Sequence, residues 1–283
     1  MLSKADLHIH TVCSDGKLHP KEAVQLAKEK KLVSLSITDH DTFKGYFEAE
    51  EEALKAEIEL IPGVEITATL GDKEAHILAY YFDPQATILS EFLVHQKRAR
   101  KERIKGIIHT INKTGVDVEY SEVWAEANGA NIGRPHLARV LKQKGYVHNT
   151  KEAFMRYLSN QKLGSIKNTY PDFKEVIDII KSAGGACIVA HPGKMYSADE
   201  LKEFVDAGID GLECIHPSHN FTLQKKYSEF CENNALLMTG GSDSHVGLDA
   251  GYTNLGVVTI AYKHVEKMKR MTDQRKKLSV IKN

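Results

Sequence analysis

Two imidazoles and a carboxylate stand on alternate positions near the start of the chain, in Asp6-Leu7-His8-Ile9-His10. Extended backbone sends successive side chains to opposite faces, so Asp6, His8 and His10 share one face and Leu7 and Ile9 the other. Such a row is a comb of metal-ligating groups on a buried strand. Comparable clusters recur at Thr38-Asp39-His40-Asp41-Thr42, at Glu65 with His76, at Ala190-His191-Pro192-Gly193 and at Gly240-Gly241-Ser242-Asp243-Ser244-His245, each in or after a short apolar run. With Asp15 added, nine candidates emerge: His8, His10, Asp15, His40, Glu65, His76, His191, Asp243 and His245. That is too many nitrogen and oxygen donors for one ion. Imidazole and carboxylate without thiolate suit Mn, Fe or Zn and exclude a sulfur-rich structural zinc. A multinuclear centre with a bridging carboxylate is the economical arrangement.

Each residue also has a plainer reading. His76 in Ala75-His76-Ile77-Leu78 would, taken alone, be a core histidine with a hydrogen-bond partner. Taken together, the clusters favour metal, because burying several polar groups in one core without a cation leaves unpaired groups that cost about 1–3 kcal/mol each. His19, His95, His109, His148 and His264 lack such neighbours and read as surface residues.

The elements that must position these groups follow from periodicity. Helices are expected over 20–30 and 43–56, and strands over 32–37, 59–67 and 74–82. This alternation points to a parallel sheet with right-handed crossovers. Residues 85–161 show helical spacing throughout and read as a helical insertion. Its charged run, Gln96-Lys97-Arg98-Ala99-Arg100-Lys101-Glu102-Arg103, reads as a solvated helix face in preference to a phosphate-backbone contact. Alternation resumes with helices over 172–182, 198–207 and 223–233 and strands over 186–190, 211–215, 236–240 and 255–260. The segment 263–283 reads as a basic, partly disordered tail. Strands alternating with helices, with candidate donors at strand ends, describe an α/β barrel made of 1–84 and 162–262 whose chemistry lies on one face.

At 283 residues the chain can bury a sizeable core, and 38 basic residues balance 38 acidic ones, so overall charge calls for neither nucleic acid nor membrane. No apolar run approaches the roughly 18 residues of a spanning helix, and no signal-peptide pattern opens the sequence. A soluble cytoplasmic protein is expected, without a membrane or stable protein partner. The four cysteines, Cys13, Cys187, Cys214 and Cys231, form no CxxC pair and read as reduced core or filler residues.

The set His8-x-His10, Ser14-Asp15-Gly16, Thr38-Asp39-His40-Asp41-Thr42, Gly63-x-Glu65, His76, His191-Pro192 and Gly241-Ser242-Asp243-x-His245 resembles the PHP family, the polymerase and histidinol phosphatase metal-dependent phosphoesterases. The resemblance spans residues 6 to about 256. It implies a distorted (β/α)7 barrel with a trinuclear site: His8, His10, Glu65 and Asp243 on one ion, Glu65, His76 and His191 on a second, and Asp15, His40 and His245 on a third. The insertion, Arg134-Pro135-His136 and Glu213-x-x-His216-Pro217-x-His219 resemble the branch of nucleoside 3′,5′-bisphosphate phosphatases and 5′-to-3′ exoribonucleases. Ser244 stands where an aromatic is frequent in that branch.

The chemistry expected is hydrolysis of a terminal phosphate on a nucleotide or short oligonucleotide. Bound divalent ions lower the pKa of water towards neutrality, so no side-chain nucleophile is needed. Arg134 suits a bidentate grip on phosphate, and His136 or His219 suits proton donation to the leaving oxygen. An amidohydrolase-type C–N hydrolase also opens with HxH, but needs neither the early Asp-Gly nor Asp-His-Asp. A histidinol-phosphate phosphatase is the runner-up among phosphatases, opposed by the insertion and Arg134. A regulatory module of the same family would often lack ligands that are all present here.

Overall fold

The computed structural model describes residues 3–163, 166, 169–247 and 253–282. Strand β1 (Lys4–Ile9) leads through a loop to helix α1 (Pro20–Glu29) and strand β2 (Ser34–Ile37). Pro20 suits the first turn of α1, and the Glu22 side chain accepts the His19 N–H at 2.8 Å. Ala23, Val24, Leu26 and Ala27 are the buried face of this helix. Helix α2 (Lys44–Ala56) follows, then strands β3 (Glu59–Leu60), β4 (Gly63–Leu70) and β5 (Lys73–Tyr80).

Here the parallel alternation expected from sequence breaks. β4 and β5 form an antiparallel hairpin, and β5 is antiparallel to its next neighbour as well. The turn is Gly71-Asp72, with Gly71 at φ +57°, a conformation glycine adopts without cost. The hairpin makes Glu65 and His76 neighbours across one pair of strands, with Glu65 opposite Leu78 and His76 opposite Thr67.

Residues 87–163 are helical: α3 (Thr87–Asn112), α4 (Tyr120–Ala127), α5 (Arg134–Gln143), α6 (Thr150–Ala153), a π-helical turn (Phe154–Leu158) and α7 (Asn160–Leu163). They close around their own core of Ile104, Ile107, Ile111, Val123, Leu137, Leu141 and Leu158, among others. The chain then runs α8 (Phe173–Ser182), β6 (Ala186–Val189), α9 (Ala198–Asp206), β7 (Gly211–Ile215), α10 (Phe221–Asn233), β8 (Leu237–Gly240), β9 (Ile260–Ala261) and α11 (Tyr262–Lys282).

The strands form two sheets, β3-β2-β1-β9 and β4-β5-β6-β7-β8. Two single bridges join them, Ile9 with Ser244 and His40 with Glu65. The hydrogen bonds of these seams include His10 N–H to Ser244 O at 2.9 Å, Asp41 N–H to Glu65 O at 2.8 Å and Glu65 N–H to Asp39 O at 3.3 Å. Candidate donors therefore sit on the seams themselves.

Two expectations at the C-terminal end change. The strand expected over 255–260 is reduced to Ile260–Ala261, which pairs with β1. Leu255 is apolar because it is wholly buried in the core, and Gly256 turns the chain at φ +72°. The segment expected as a basic tail is helix α11, which buries Val265 and Met268 against the sheets and pairs Arg275 with Asp210 at 2.6 Å. Its charges lie on the outward face, so composition reads as a tail while the apolar stripe makes a helix.

Candidate metal centre

β1 presents its comb as the alternation requires, but the three polar groups part company. Asp6 is structural: its carboxylate accepts the N–H groups of Ser242 at 2.9 Å and Gly256 at 2.8 Å, tying β1 to the loop after β8. Burial nevertheless raises its pKa to about 6. His8 and His10 turn into the interior with their Nε2 atoms 3.1 Å apart.

Glu65 on β4 is the centre of the group. Its Oε1 lies 2.9 Å from His76 Nδ1 and 2.9 Å from His191 Nε2, and its Oε2 lies 3.2 Å from His10, 3.2 Å from His40 and 3.4 Å from His8. Burial alone would raise this carboxyl, yet the surrounding imidazoles hold it well below the usual range. Asp243 Oδ1 completes the face at 3.4 Å from His8 Nε2 and 3.2 Å from His10 Nε2. Burial disfavours a charged His10, but Asp243, Glu65 and Asp15 push its pKa up to about 10.

A third grouping gathers on the other side of His10. Asp15 lies 3.5 Å from His10 Nδ1, 3.8 Å from His40 Nε2 and 3.3 Å from His245 Nε2. The two aspartates flanking His40 do not join it. Asp39 accepts Thr11 N–H at 2.7 Å and Ser14 O–H at 2.6 Å, holding the loop that carries Asp15. Asp41 accepts Thr67 N–H at 2.9 Å and pairs with the Arg100 guanidinium. His40 is thus aimed by two buried frames.

All nine candidate donors therefore meet in one region. Four overlapping groups have donor atoms that all lie within 4.8 Å of one another: His10, Asp15, His40 and His245; His8, His10 and Asp243; His8, Glu65 and His191; His40, Glu65 and His76. Donors about 2.1 Å from one ion in tetrahedral or octahedral arrays stand about 3.0–3.4 Å apart, which matches the 3.1–3.4 Å separations among His8, His10, His40, Glu65 Oε2 and Asp243, while Asp15 stands up to 3.8 Å from its imidazoles. His40 Nδ1 is buried without a hydrogen-bond partner, although Glu65 Oε2 is 3.2 Å away. An imidazole nitrogen left over inside a ring of carboxylates fits a divalent ion better than a hydrogen bond. Asp41, His191 and Asp243 also adopt positive φ of 51°, 26° and 48°. Such backbone costs about 1–3 kcal/mol per residue and clusters where a ligand clamp is built.

The sequence predicts a strand over 211–215 but places no candidate metal donor on it. The structure gives it two groups at the centre, Glu213, 3.0 Å from His8 Nδ1, and His216, whose Nε2 lies 3.2 Å from Asp243 Oδ2. Burial would raise the Glu213 carboxyl, but the charge and hydrogen bond of His8 hold it below its ordinary value. The sequence signal was Glu213 on an apolar strand, a carboxylate with no exposed face to occupy.

Beside the centre lies a cleft of about 190 Å³, lined by the candidate donors Asp15, His40, His76 and His245 together with Arg100, Arg103, Arg134, Phe154 and Tyr170. Arg134 is held there by Glu74 at 2.5 Å and by Leu158 O at 3.3 Å. Burial works against ionised Glu74, and His76 with Arg134 and Arg103 overcomes it. Gln96, Arg100 and Arg103 correct the reading of the charged run as a solvated face: they are 2%, 7% and 8% exposed and turn inward, while Lys97, Arg98 and Glu102 face solvent.

His136 and His219 have other work than the proton transfer expected of them. His136 lines a neighbouring cleft and its Nδ1 accepts the Gly133 N–H at 3.0 Å, closing the first turn of α5. Burial and the charge of Arg139 lower its pKa to about 4. His219 has both nitrogens on backbone, Nδ1 donating to Cys214 O at 2.9 Å and Nε2 accepting Gly193 N–H at 3.0 Å.

The model of the PHP domain matches residues 6–207. A 5′-3′ exoribonuclease of Haemophilus influenzae is 33% identical over 261 residues, covering 90% of this chain and 94% of its own. A 3′,5′-nucleoside bisphosphate phosphatase of Chromobacterium violaceum is 29% identical over 263 residues, covering 89% and 92%. Among solved structures, one from Bifidobacterium adolescentis, provisionally assigned as a metal-dependent phosphoesterase, superposes with a TM-score of 0.85 at 30% identity, over 94% of this chain and 96% of that one. A family match over most of the chain, relatives aligned nearly end to end and a converged donor set agree: this chain belongs to the PHP family and is a metal-dependent hydrolase of phosphate esters.

Proposed function

We propose that the chain is a three-ion phosphatase of nucleotides that removes a phosphate from a nucleoside 3′,5′-bisphosphate or trims short 5′-phosphorylated RNA. The observation that carries this reading is Glu65, which faces imidazoles from both sheets with the arginine-lined cleft alongside. The relatives named as a bisphosphate phosphatase and an exoribonuclease support the substrate class. On this reading His8, His10, Glu65 and Asp243 hold one ion, Glu65, His76 and His191 a second, and Asp15, His40 and His245 a third, drawn from Mn, Fe or Zn. The two bridges between the sheets support reading β4-β5-β6-β7-β8-β1-β2 as a distorted seven-stranded barrel with the donors at one end. We further place the enzyme in the cytoplasm, where its four free cysteines stay reduced.

Bound divalent ions would supply Lewis acidity and activation of water near neutral pH. The chain's own groups do the rest. Arg134 grips the phosphate that is not being cleaved, and Glu74 keeps its guanidinium at the cleft wall until substrate arrives. Arg100 and Arg103 set a positive potential over the same cleft. His136 and His219 hold, respectively, the start of α5 and the loop after β6 in place. Binding energy from a non-reacting phosphate orients the reacting one.

The test is a side-by-side assay of adenosine 3′,5′-bisphosphate, AMP, a 5′-phosphorylated oligoribonucleotide and histidinol phosphate with Mn present. The bisphosphate or the oligoribonucleotide should give the highest kcat/KM. Preference for histidinol phosphate, or equal rates on all four, would contradict the reading.

A further inference from the structure

β1, β2, β4, β5, β6 and β8 each bear candidate metal donors in or just beyond their ends, and β7, between β6 and β8, bears none. Yet β7 delivers two buried side chains to the same place. Glu213 is wholly buried, and its two oxygens go to two different elements: Oε1 to His8 Nδ1 on β1 at 3.0 Å, Oε2 to the His191 backbone N–H beyond β6 at 2.7 Å. His216, one residue past the end of β7, puts Nε2 3.2 Å from Asp243 Oδ2 beyond β8. The pairing of β7 with β8 slips in register between Glu213 and Ile215, the kind of irregularity that re-aims side chains beside an active site.

The protonation pattern follows from these partners. A carboxylate on Nδ1 places the His8 proton there and leaves Nε2 with its lone pair directed at His10, Glu65 and Asp243. The Ser218 N–H donates to His216 Nδ1 at 3.1 Å, so the His216 proton sits on Nε2 and is donated to Asp243 Oδ2. That leaves Asp243 Oδ1 facing His8 and His10. One strand thus fixes the tautomer of one donor, the backbone of a second, which sits at positive φ, and the orientation of a third.

We propose that Glu213 and His216 are positioning residues that together form a brace, setting the affinity of two ion sites, the one that takes His8 and Asp243 and the one that takes His191, without ligating either. The proposal rests on the metal assignment given under the proposed function. Both residues are buried and neither lines the arginine-walled cleft. Partners of this kind, removed from a ligating imidazole or carboxylate, change metal affinity about 10- to 100-fold.

The test uses metal-depleted full-length protein titrated with Mn²⁺ or Zn²⁺ against a chromogenic chelator, with Co²⁺ absorption as a second readout of ligand geometry. Glu213→Gln keeps the shape but sets an amide against the His191 N–H. It should weaken the sites that take His8 and His191 10- to 100-fold, alter the Co²⁺ bands, and leave the site containing Asp15, His40 and His245 at its wild-type affinity. His216→Phe should weaken the site that takes Asp243, and His216→Gln, which keeps a donor, should recover part of the loss. If Glu213→Gln fails to fold by circular dichroism, the His216 pair carries the decision. Variants that fold and match wild type in affinity and Co²⁺ spectrum overturn the brace, as does an equal loss at every site. Wild-type protein that takes up no divalent ion overturns the metal assignment and the brace together.

Discussion

Glu65 Oε2 lies 3.2 Å from His10 Nε2 although the strands that lead to them belong to different sheets. The separation matches two donors on one ion and ties β4 to the end of β1, beside the backbone bridge between His40, beyond β2, and Glu65. If the carboxylate also bridges to a second ion through Oε1, Glu65→Gln should remove more than one ion's hold. We expect kcat to fall at least about 100-fold, the scale of losing several kcal/mol of charge stabilisation in the transition state. Metal content should fall by more than one ion per chain. Full metal content in an inactive Glu65→Gln protein would show that this carboxylate does not bridge.

Arg134 presents a planar fork at the cleft wall, with Glu74 2.5 Å away. A lysine keeps the charge but loses the two-pronged geometry. Arg134→Lys and Arg134→Ala should both lower kcat/KM on a bisphosphate, by about 1.5–3 kcal/mol of transition-state binding, while AMP loses less. Unchanged kcat/KM in Arg134→Ala would remove this residue from substrate binding.

The buried His136 gives a pH dependence of stability with a definite sign. Its folded pKa is lowered to about 4, below the ordinary 6.5, so it stays neutral in the fold while the unfolded chain takes up a proton. Its contribution is complete above about 6.5, declines as pH falls from there to about 4, and levels off below; the drop amounts to about 3 kcal/mol. His136→Gln offers the Gly133 N–H an acceptor that does not titrate. In chelator-treated protein, Tm followed between pH 4 and 7 should fall less steeply for His136→Gln than for wild type. Parallel curves would place the neutral His136 assignment in error.

Much of the candidate site is legible in sequence because its donors are local: HxH on one strand, Asp-His-Asp and Ser-Asp-Ser-His after apolar runs. Types and spacing name the groups before any fold is known. What sequence withholds is set by tertiary partners. Gly71-Asp72 reverses the chain between two β-rich runs, but only pairing tells a hairpin from a crossover. Arg100 reads as a solvent-facing charge until Asp41 from another element supplies its partner. Asp6 looks like a third tooth of the comb until the N–H groups of Ser242 and Gly256, far along the chain, claim it. His219 looks like a proton donor until both its nitrogens are found on backbone. The C-terminal segment looks disordered because its charges outnumber its apolar residues, yet Val265 and Met268 dock it in the core and Arg275 pairs with Asp210.

The most direct measurement is elemental analysis of fully active, metal-replete protein, with phosphate release from adenosine 3′,5′-bisphosphate assayed on the same sample. Nine donors sharing Glu65 predict about three divalent ions per chain, and activity that disappears on chelation and returns with Mn²⁺. Full activity with a single ion per chain, or activity that survives complete metal removal, would contradict the three-ion centre.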